Sequence, residues 1–111
     1  GLSPRQVTAV RRFVSDAFPR RVTVSELAEL CGLSESWFSR AFRQSTGETP
    51  QRFMARQRLE VAMDLMLTTD RGLADIADAT GFADQAHLTR IFRTAQGLPP
   101  SQWRRMRRGN D

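Results

Sequence analysis

Two pairs of arginine residues recur at the same spacing in the two halves of this 111-residue chain. Arg40 and Arg43 lie 50 positions before Arg90 and Arg93. Each guanidinium group offers a rigid planar fork of donors that suits phosphate oxygens and the edge of guanine. All 17 basic residues are arginine, and no lysine occurs. This composition favours a nucleic-acid partner, although a GC-rich coding genome would produce the same bias.

The arginines belong to a longer internal repeat. Its first copy is Phe38, Arg40, Phe42, Arg43, Gly47 and Pro50, which recur as Leu88, Arg90, Phe92, Arg93, Gly97 and Pro100. Upstream, Val24, Leu27, Ala28 and Cys31 recur as Leu73, Ile76, Ala77 and Thr80, but at a distance of 49 positions. The second copy therefore contains one additional residue between Gly81 and Arg90.

The bulk composition restricts the class of protein. The formal net charge of +5 favours a polyanionic partner. The single cysteine, Cys31, excludes an internal disulfide and a zinc finger, which indicates an intracellular, cytoplasmic protein. No apolar run is long enough to span a membrane, and no signal sequence precedes Pro4. Because the one histidine and the one cysteine lie in no catalytic or ligand motif, we expect no enzymatic activity, no metal site and no cofactor.

The spacing of apolar residues predicts seven helices and no strand, and hence an all-α fold. The first expected helix covers 4–17, the second is short and follows the capping Thr23, and the third runs from the cap Ser34 to Gly47. The fourth is longer and runs from Pro50 to about Leu67. The fifth is short and starts at Leu73, the sixth runs from the cap Asp84 to Gly97, and the seventh starts at Pro100. The third helix should bury Phe42 together with Phe38 or Trp37. The methionines, including Met106, are expected to fill the core.

Each short helix pair, joined by a turn containing glycine, has the pattern of a helix-turn-helix unit. The predicted organisation is a first helix-turn-helix subdomain over 1–48, a central linker helix over 49–69 and a second helix-turn-helix subdomain over 70–111.

On these residues the sequence resembles the DNA-binding domain of the AraC/XylS family of bacterial transcriptional regulators. The resemblance extends from about Val7 to Arg105. Its motifs in the first half are Leu27-Ala28, Gly32-Leu33-Ser34, Ser39-Arg40-Ala41-Phe42, Gly47, Pro50, Arg58-Leu59, Ala62 and Leu65. In the second half they are Ile76-Ala77, Gly81-Phe82, Thr89-Arg90, Phe92-Arg93, Gly97 and Pro99-Pro100. Two such units at this spacing form a highly specific combination.

The resemblance implies a transcription factor that binds double-stranded DNA in a sequence-specific way, with the third and sixth helices in adjacent major-groove segments. By position, it implies that the bases face Ser36, Ser39 and Arg40 in the first unit and Gln85, Ala86, Thr89 and Arg90 in the second. Two departures from the family pattern stand out. The leading positions, Ser36 and Ala86, carry small side chains, and His87 stands where an aromatic residue is usual.

Further residues are expected to contact the DNA backbone: Trp37, Arg43, Arg93, Arg104 and Arg105. Several alternatives stay open at this point. Instead of contacting bases, Arg40 and Arg90 would be solvated or paired with acids such as Glu35 and Asp84. Instead of contacting the DNA backbone, Trp37 would be buried, and the arginines of the C-terminal tail would form a charged, frayed end.

The expected partners follow from the same resemblance. The first is double-stranded DNA. The second is RNA polymerase, which would contact Asp75 and Asp78 of the fifth helix. The simpler explanation of these two acidic residues is that they make the protein soluble. The fragment is expected to be a monomer, within a parent protein that dimerises through a separate N-terminal domain. The main alternative function is that of a non-specific architectural or RNA-binding helical protein, since the charge alone supports it.

Overall fold

The computed structural model describes residues 1–109, which contain seven α-helices and no β-strand. The helices are α1 (Pro4–Ala17), α2 (Val24–Leu30), α3 (Glu35–Thr46), α4 (Pro50–Thr68), α5 (Leu73–Ala79), α6 (Gln85–Gln96) and α7 (Pro100–Arg108). The predicted all-α fold is confirmed, and α4 extends one residue beyond the predicted end. None of the described helices combines the length and the apolar character that a membrane span requires. Residues 110 and 111, which the second predicted subdomain includes, lie outside the described residues.

The chain divides into two compact units, Gly1–Arg56 and a second one that starts at Gln57. Their boundary falls inside α4. The first half of this helix contributes Phe53 to the core of the first unit, whereas the second half contributes Leu59, Ala62 and Met66 to the core of the second. The separate linker over 49–69 stays a prediction.

The two cores are built alike, and the core residues of α2 and α3 occupy positions of the repeat that match those of α5 and α6. The first contains Val10 and Val14 of α1, Leu27 and Ala28 of α2, Phe38 and Phe42 of α3, and Phe53 of α4. The second contains Leu59, Ala62 and Met66 of α4, Ile76 and Ala77 of α5, Leu88 and Phe92 of α6, and Trp103 of α7. The second half of α4 therefore supports the second unit as α1 supports the first. Full burial of each large side chain contributes about 1.5–3 kcal/mol.

The helix starts are fixed by the side chains that the sequence predicted as caps. Thr23 Oγ1 accepts a hydrogen bond from the backbone N–H of Glu26 at 3.1 Å, and Glu26 Oε2 accepts one from the N–H of Thr23 at 2.7 Å. Together with the Arg20 guanidinium, the Thr23 N–H holds the pKa of Glu26 below its usual value. Ser34 caps α3 by accepting a hydrogen bond from the backbone N–H of Trp37 at 3.2 Å. Asp84 caps α6 in the same way, by accepting one from the N–H of His87 at 2.8 Å.

The turn inside the second helix-turn-helix unit is longer by one residue than the turn inside the first. Residues 31–34 separate α2 from α3, whereas residues 80–84 separate α5 from α6. The predicted additional residue therefore lies in this turn. Arg58 Nη1 of α4 donates to the carbonyl oxygen of Thr80 at 2.7 Å. The fully buried Thr80 hydroxyl donates to the carbonyl of Ile76 at 2.6 Å, so the start of the longer turn is held from two sides.

The C-terminal end of α4 is closed by two arginines of α7, Arg104 and Arg108, which we name the arginine clamp. Arg104 donates through Nε, Nη1 and Nη2, at 2.8, 2.6 and 2.5 Å, to the carbonyl oxygens of Met66, Arg71 and Thr69. Arg108 Nη2 pairs with Asp70 Oδ1 at 2.7 Å. The clamp supplies donors and positive charge to a carbonyl group in the last turn of α4 and to two carbonyl groups of the segment that follows this helix.

Two large apolar side chains depart from the expected core. Trp37 is 57% exposed and Met106 is 66% exposed, whereas Phe38 is fully buried. The expectation that Met106 fills the core is wrong, because α7 turns Trp103 rather than Met106 toward the second unit. For α3, the structure decides between the two predicted alternatives in favour of Phe38.

Candidate nucleic-acid interface

Helix α3 has a polar, basic exposed side and a buried side that packs against the core. Ser36, Arg40 and Arg43 are exposed, and Ser39 is half-buried. On the opposite side, Phe38 and Phe42 are buried with ring centroids 5.7 Å apart. Gly47 ends the helix with φ +84°, a left-handed conformation that glycine adopts without steric strain. A helix held in this way can present its exposed side chains to a groove without moving its backbone.

Helix α6 repeats this arrangement in the second unit. Gln85, Ala86, Arg90 and Arg93 are exposed, and Thr89 is half-buried. Leu88 and Phe92 are fully buried, and Phe92 meets Trp103 edge to face at 5.3 Å. The structure therefore places every predicted base-facing residue on the exposed or half-exposed side of α3 or α6. Their contacts with bases stay a prediction.

His87 has a structural task that the sequence did not reveal. Its Nδ1 accepts a hydrogen bond from the backbone N–H of Ala83 at 3.2 Å, while Asp84 accepts one from the N–H of His87. The ring also meets Phe82 edge to face, with centroids 5.4 Å apart. The histidine therefore packs as an aromatic residue would and in addition closes the start of α6. The three-residue spacing of Asp84 and His87, similar to that of a capping box, is the signal that would have indicated this role.

The arginines of both helix faces are unpaired within residues 1–109. No ion pair or side-chain hydrogen bond of Arg40, Arg43, Arg90 or Arg93 occurs in that range, so the predicted alternative of pairing with Glu35 or Asp84 does not hold. Only Arg40 has an aromatic contact, since its guanidinium carbon lies 5.6 Å from the centroid of the Trp37 ring. Each helix thus presents two guanidinium groups that form no ion pair or hydrogen bond with the described residues.

The arginines of α7 do not all serve the same purpose. Arg104 and Arg108 form the arginine clamp, and Arg107 lies over the Trp103 ring at 5.3 Å. Arg105 is exposed. Arg104 donates one hydrogen bond to the last turn of α4 and two to the segment that follows this helix. Its predicted contact with the DNA backbone stays a prediction. Arg105 stays a predicted backbone contact.

A metal centre is not built into the described part of the chain. Within residues 1–109, no three or more histidine, cysteine, aspartate or glutamate side chains come together in a group that could hold a metal ion. The half-buried Cys31 has a free thiol, and burial raises its pKa.

The comparison with known proteins agrees with this geometry. Residues 27–106 match the helix-turn-helix domain family. A probable AraC family transcriptional regulator from Rhodopseudomonas palustris CGA009 superimposes with a TM-score of 0.80 at 28% identity, over 94% of this chain and 97% of the other. The chain belongs to the AraC family of helix-turn-helix regulators.

Two further AraC-type comparisons concern named proteins. The HTH-type transcriptional activator RhaS of Enterobacter sp. (strain 638) is 35% identical over 99 residues, which are 89% of this chain and 34% of that protein. The DNA-binding domain of AdpA, solved in complex with a target DNA, superimposes with a TM-score of 0.84 at 28% identity, over 96% of this chain and 98% of the other. For eight curated relatives, this chain spans between 25% and 38% of the length of each.

Proposed function

We propose that this AraC-type domain binds double-stranded DNA in a sequence-specific way and that it regulates transcription, as an activator. The observation that carries the proposal is the pair of equivalent helices, α3 and α6, each with free arginines on a face opposite a packed core. The likeness to the AdpA domain, which was solved bound to a target DNA, supports it. RhaS and the Rhodococcus sp. protein NphR, 33% identical over 84 residues, are both transcriptional activators, which supports the direction of regulation.

Two arginines of this surface are assigned to the bases. Arg40 and Arg90 are each the sixth residue of their helix, on the exposed face that a helix-turn-helix unit turns toward the major groove. A bidentate contact with guanine O6 and N7 discriminates against a wrong base by about 1–3 kcal/mol. Ser36, Ser39, Gln85 and Thr89 add hydrogen-bonding groups around these two contacts, and Ala86 offers only a methyl group.

A second set of residues is assigned to the sugar-phosphate backbone. Arg43 and Arg93 lie three residues beyond the base-reading arginines, and Arg105 lies exposed on α7. Contacts of this kind set the position of the protein on DNA and contribute to affinity in a salt-dependent way, but they do not select a sequence.

The first experiment is a selection of bound duplexes from a random pool, followed by affinity measurements at one fixed salt concentration. We expect the selected site to bind at least about a thousandfold more tightly than random duplex. Equal affinity for all duplexes would favour the alternative of a non-specific architectural protein. Stronger binding to RNA of the same sequence would favour an RNA-binding protein.

The second experiment separates base contacts from backbone contacts. Arg40→Ala and Arg90→Ala should each relax the preference at one base pair, in different halves of the selected site. Arg93→Ala should weaken binding to all duplexes and reduce the slope of log K against log salt concentration by about one unit. If all three variants lost affinity uniformly, the assignment of Arg40 and Arg90 to bases would be refuted.

An acidic face of α5 and the oligomeric state concern partners other than DNA. Asp75 and Asp78 are exposed on α5, and Asp75 also pairs with Arg71 at 3.6 Å. We assign this acidic face to a contact with RNA polymerase in the bacterial cytoplasm. A variant with both aspartates changed to asparagine should keep its affinity for DNA and lose activation in a transcription assay.

We expect the domain alone to sediment as a monomer, with any dimerisation supplied by another part of the parent protein.

A further inference from the structure

The two recognition helices differ in how they hold the equivalent arginine. In α3, Trp37 lies one turn before Arg40, and its ring centroid is 5.6 Å from the guanidinium carbon. Contacts at this distance combine the positive charge with the negative face of the aromatic ring. Trp37 keeps 57% of its surface exposed, and no hydrogen bond of its indole N–H occurs within residues 1–109. The indole therefore lies outside the core of the first unit.

Helix α6 lacks this arrangement. The residue one turn before Arg90 is His87, whose Nδ1 is engaged by the N–H of Ala83 and whose ring lies against Phe82. In the described structure no aromatic ring lies under the guanidinium of Arg90. The repeat thus contains one arginine that rests on an aromatic ring and one that does not.

We propose that Trp37 is a positioning residue for Arg40. It holds the guanidinium group in place on α3 before DNA is bound, so that the first helix reads its base with an ordered arginine, whereas the second reads with a mobile one. This inference rests on the proposed function of α3 as a recognition helix. It also replaces the expectation that Trp37 donates its indole N–H to a phosphate.

The physical reason is the entropy of a long side chain. A free arginine loses much of its rotamer freedom when it binds a base, and this loss opposes binding. If the guanidinium already rests on the indole, part of the loss occurs on folding instead. The contact also opposes rotation of Arg40 toward a nearby phosphate when the wrong base is present. Both effects increase the discrimination between the right and the wrong base at one position.

The test is a double-mutant cycle measured on the selected site and on a duplex changed at the single base pair whose preference Arg40→Ala relaxes. We expect Trp37→Leu to reduce the ratio of the two affinities about three- to fivefold, the size of an exposed cation–π contact. Trp37→Phe should lose less, because it keeps an aromatic face. In the Arg40→Ala background, Trp37→Leu should leave the ratio and the affinity unchanged. Equal thermal unfolding of the variants serves as the folding control, since Trp37 is exposed.

Two outcomes of the cycle would overturn the proposal. If Trp37→Leu has no effect in the otherwise natural sequence, the contact does not assist binding. If it weakens binding equally with and without Arg40, the indole contacts DNA directly.

A measurement on the free protein is independent of the DNA site. The Arg40 Nε–H resonance should shift in Trp37→Leu because the ring current is lost, and an unchanged resonance would refute the ordered arginine. A domain with no preferred sequence would refute the proposed function, while this resonance would still decide whether Arg40 is held.

Discussion

The arginine clamp leads to a prediction that distinguishes two neighbouring residues. Arg104 donates three hydrogen bonds, one to the last turn of α4 and two to the segment that follows it, whereas the adjacent Arg105 is exposed. We therefore expect Arg104→Ala to destabilise the second unit strongly and Arg105→Ala to leave its stability within about 0.5 kcal/mol of the natural value. Both substitutions remove the same charge, so the Arg105 variant is a matched control for net charge.

The magnitude follows from the contacts. A hydrogen bond to a charged group contributes about 1.5–3 kcal/mol, and positive charge at a helix C-terminus contributes about 0.3–1 kcal/mol. The three bonds of Arg104 are not additive, because water can reach the freed carbonyl groups. We expect a loss of about 2–3 kcal/mol, which corresponds to a fall in Tm of about 10–20 °C for a unit of this size. Arg104→Lys, which offers a single point of donation, should lose roughly half as much.

Urea unfolding followed by tryptophan fluorescence is the appropriate assay. Trp103 lies in the core of the second unit, and replacing the exposed Trp37 by phenylalanine leaves Trp103 as the only fluorophore of its kind. If Arg104→Ala unfolds at the same urea concentration as the parent, the clamp does not stabilise the protein. If it instead lowers the salt slope of DNA binding without a change in stability, the predicted contact of Arg104 with phosphate would be supported.

Three further predictions concern caps and charge. Thr23→Ala removes the acceptor of the α2 capping box and should lower the stability of the first unit by about 1 kcal/mol in urea unfolding. Gly97→Ala forces a left-handed conformation (φ +83°) on alanine in open space and should cost about 1–2 kcal/mol in urea unfolding. Gly72→Ala, at φ −68°, introduces no such strain and should cost less, since it only replaces a glycine N-cap. The Arg56 guanidinium lowers the pKa of Glu48 below its ordinary 4.5, so its stabilising contribution is present above that pH and lost as pH falls through the lowered value. Stability measured below pH 4.5 should therefore depend less on pH in Glu48→Gln than in the natural sequence.

The local features of the fold were predictable from sequence because they depend on residues within one or two turns. The caps Thr23, Ser34 and Asp84 and the stop Gly47 lie three or four residues from the groups that they serve or at the helix end itself. The additional residue of the second turn followed from the change of spacing from 49 to 50 positions. The base-facing residues came from the resemblance to the AraC/XylS family, while the periodicity of apolar residues assigned the side chains of a helix to a buried or an exposed face.

The features that escaped prediction depend on contacts between distant residues. Arg104 and Met66 are 38 positions apart, and nothing in the local pattern of α7 shows that its arginines reach the end of α4. The exposure of Met106 has the same origin, since the direction of α7 is set by the burial of Trp103. The contact of Arg40 with Trp37 is local, but the spacing alone does not show that the indole remains outside the core.

The side chains proposed to face the bases make no hydrogen bond or ion pair with the rest of the described protein. On α3 this holds for Ser36, Ser39 and Arg40. Other residues attach the helix to the rest of the unit: Phe38, Ala41 and Phe42 pack against the core, and Ser45 hydrogen-bonds the backbone of Leu2. The two sets of residues can therefore change independently. A new operator preference requires new side chains at exposed positions and no new core, which makes this domain tolerant of altered specificity both in evolution and in the laboratory.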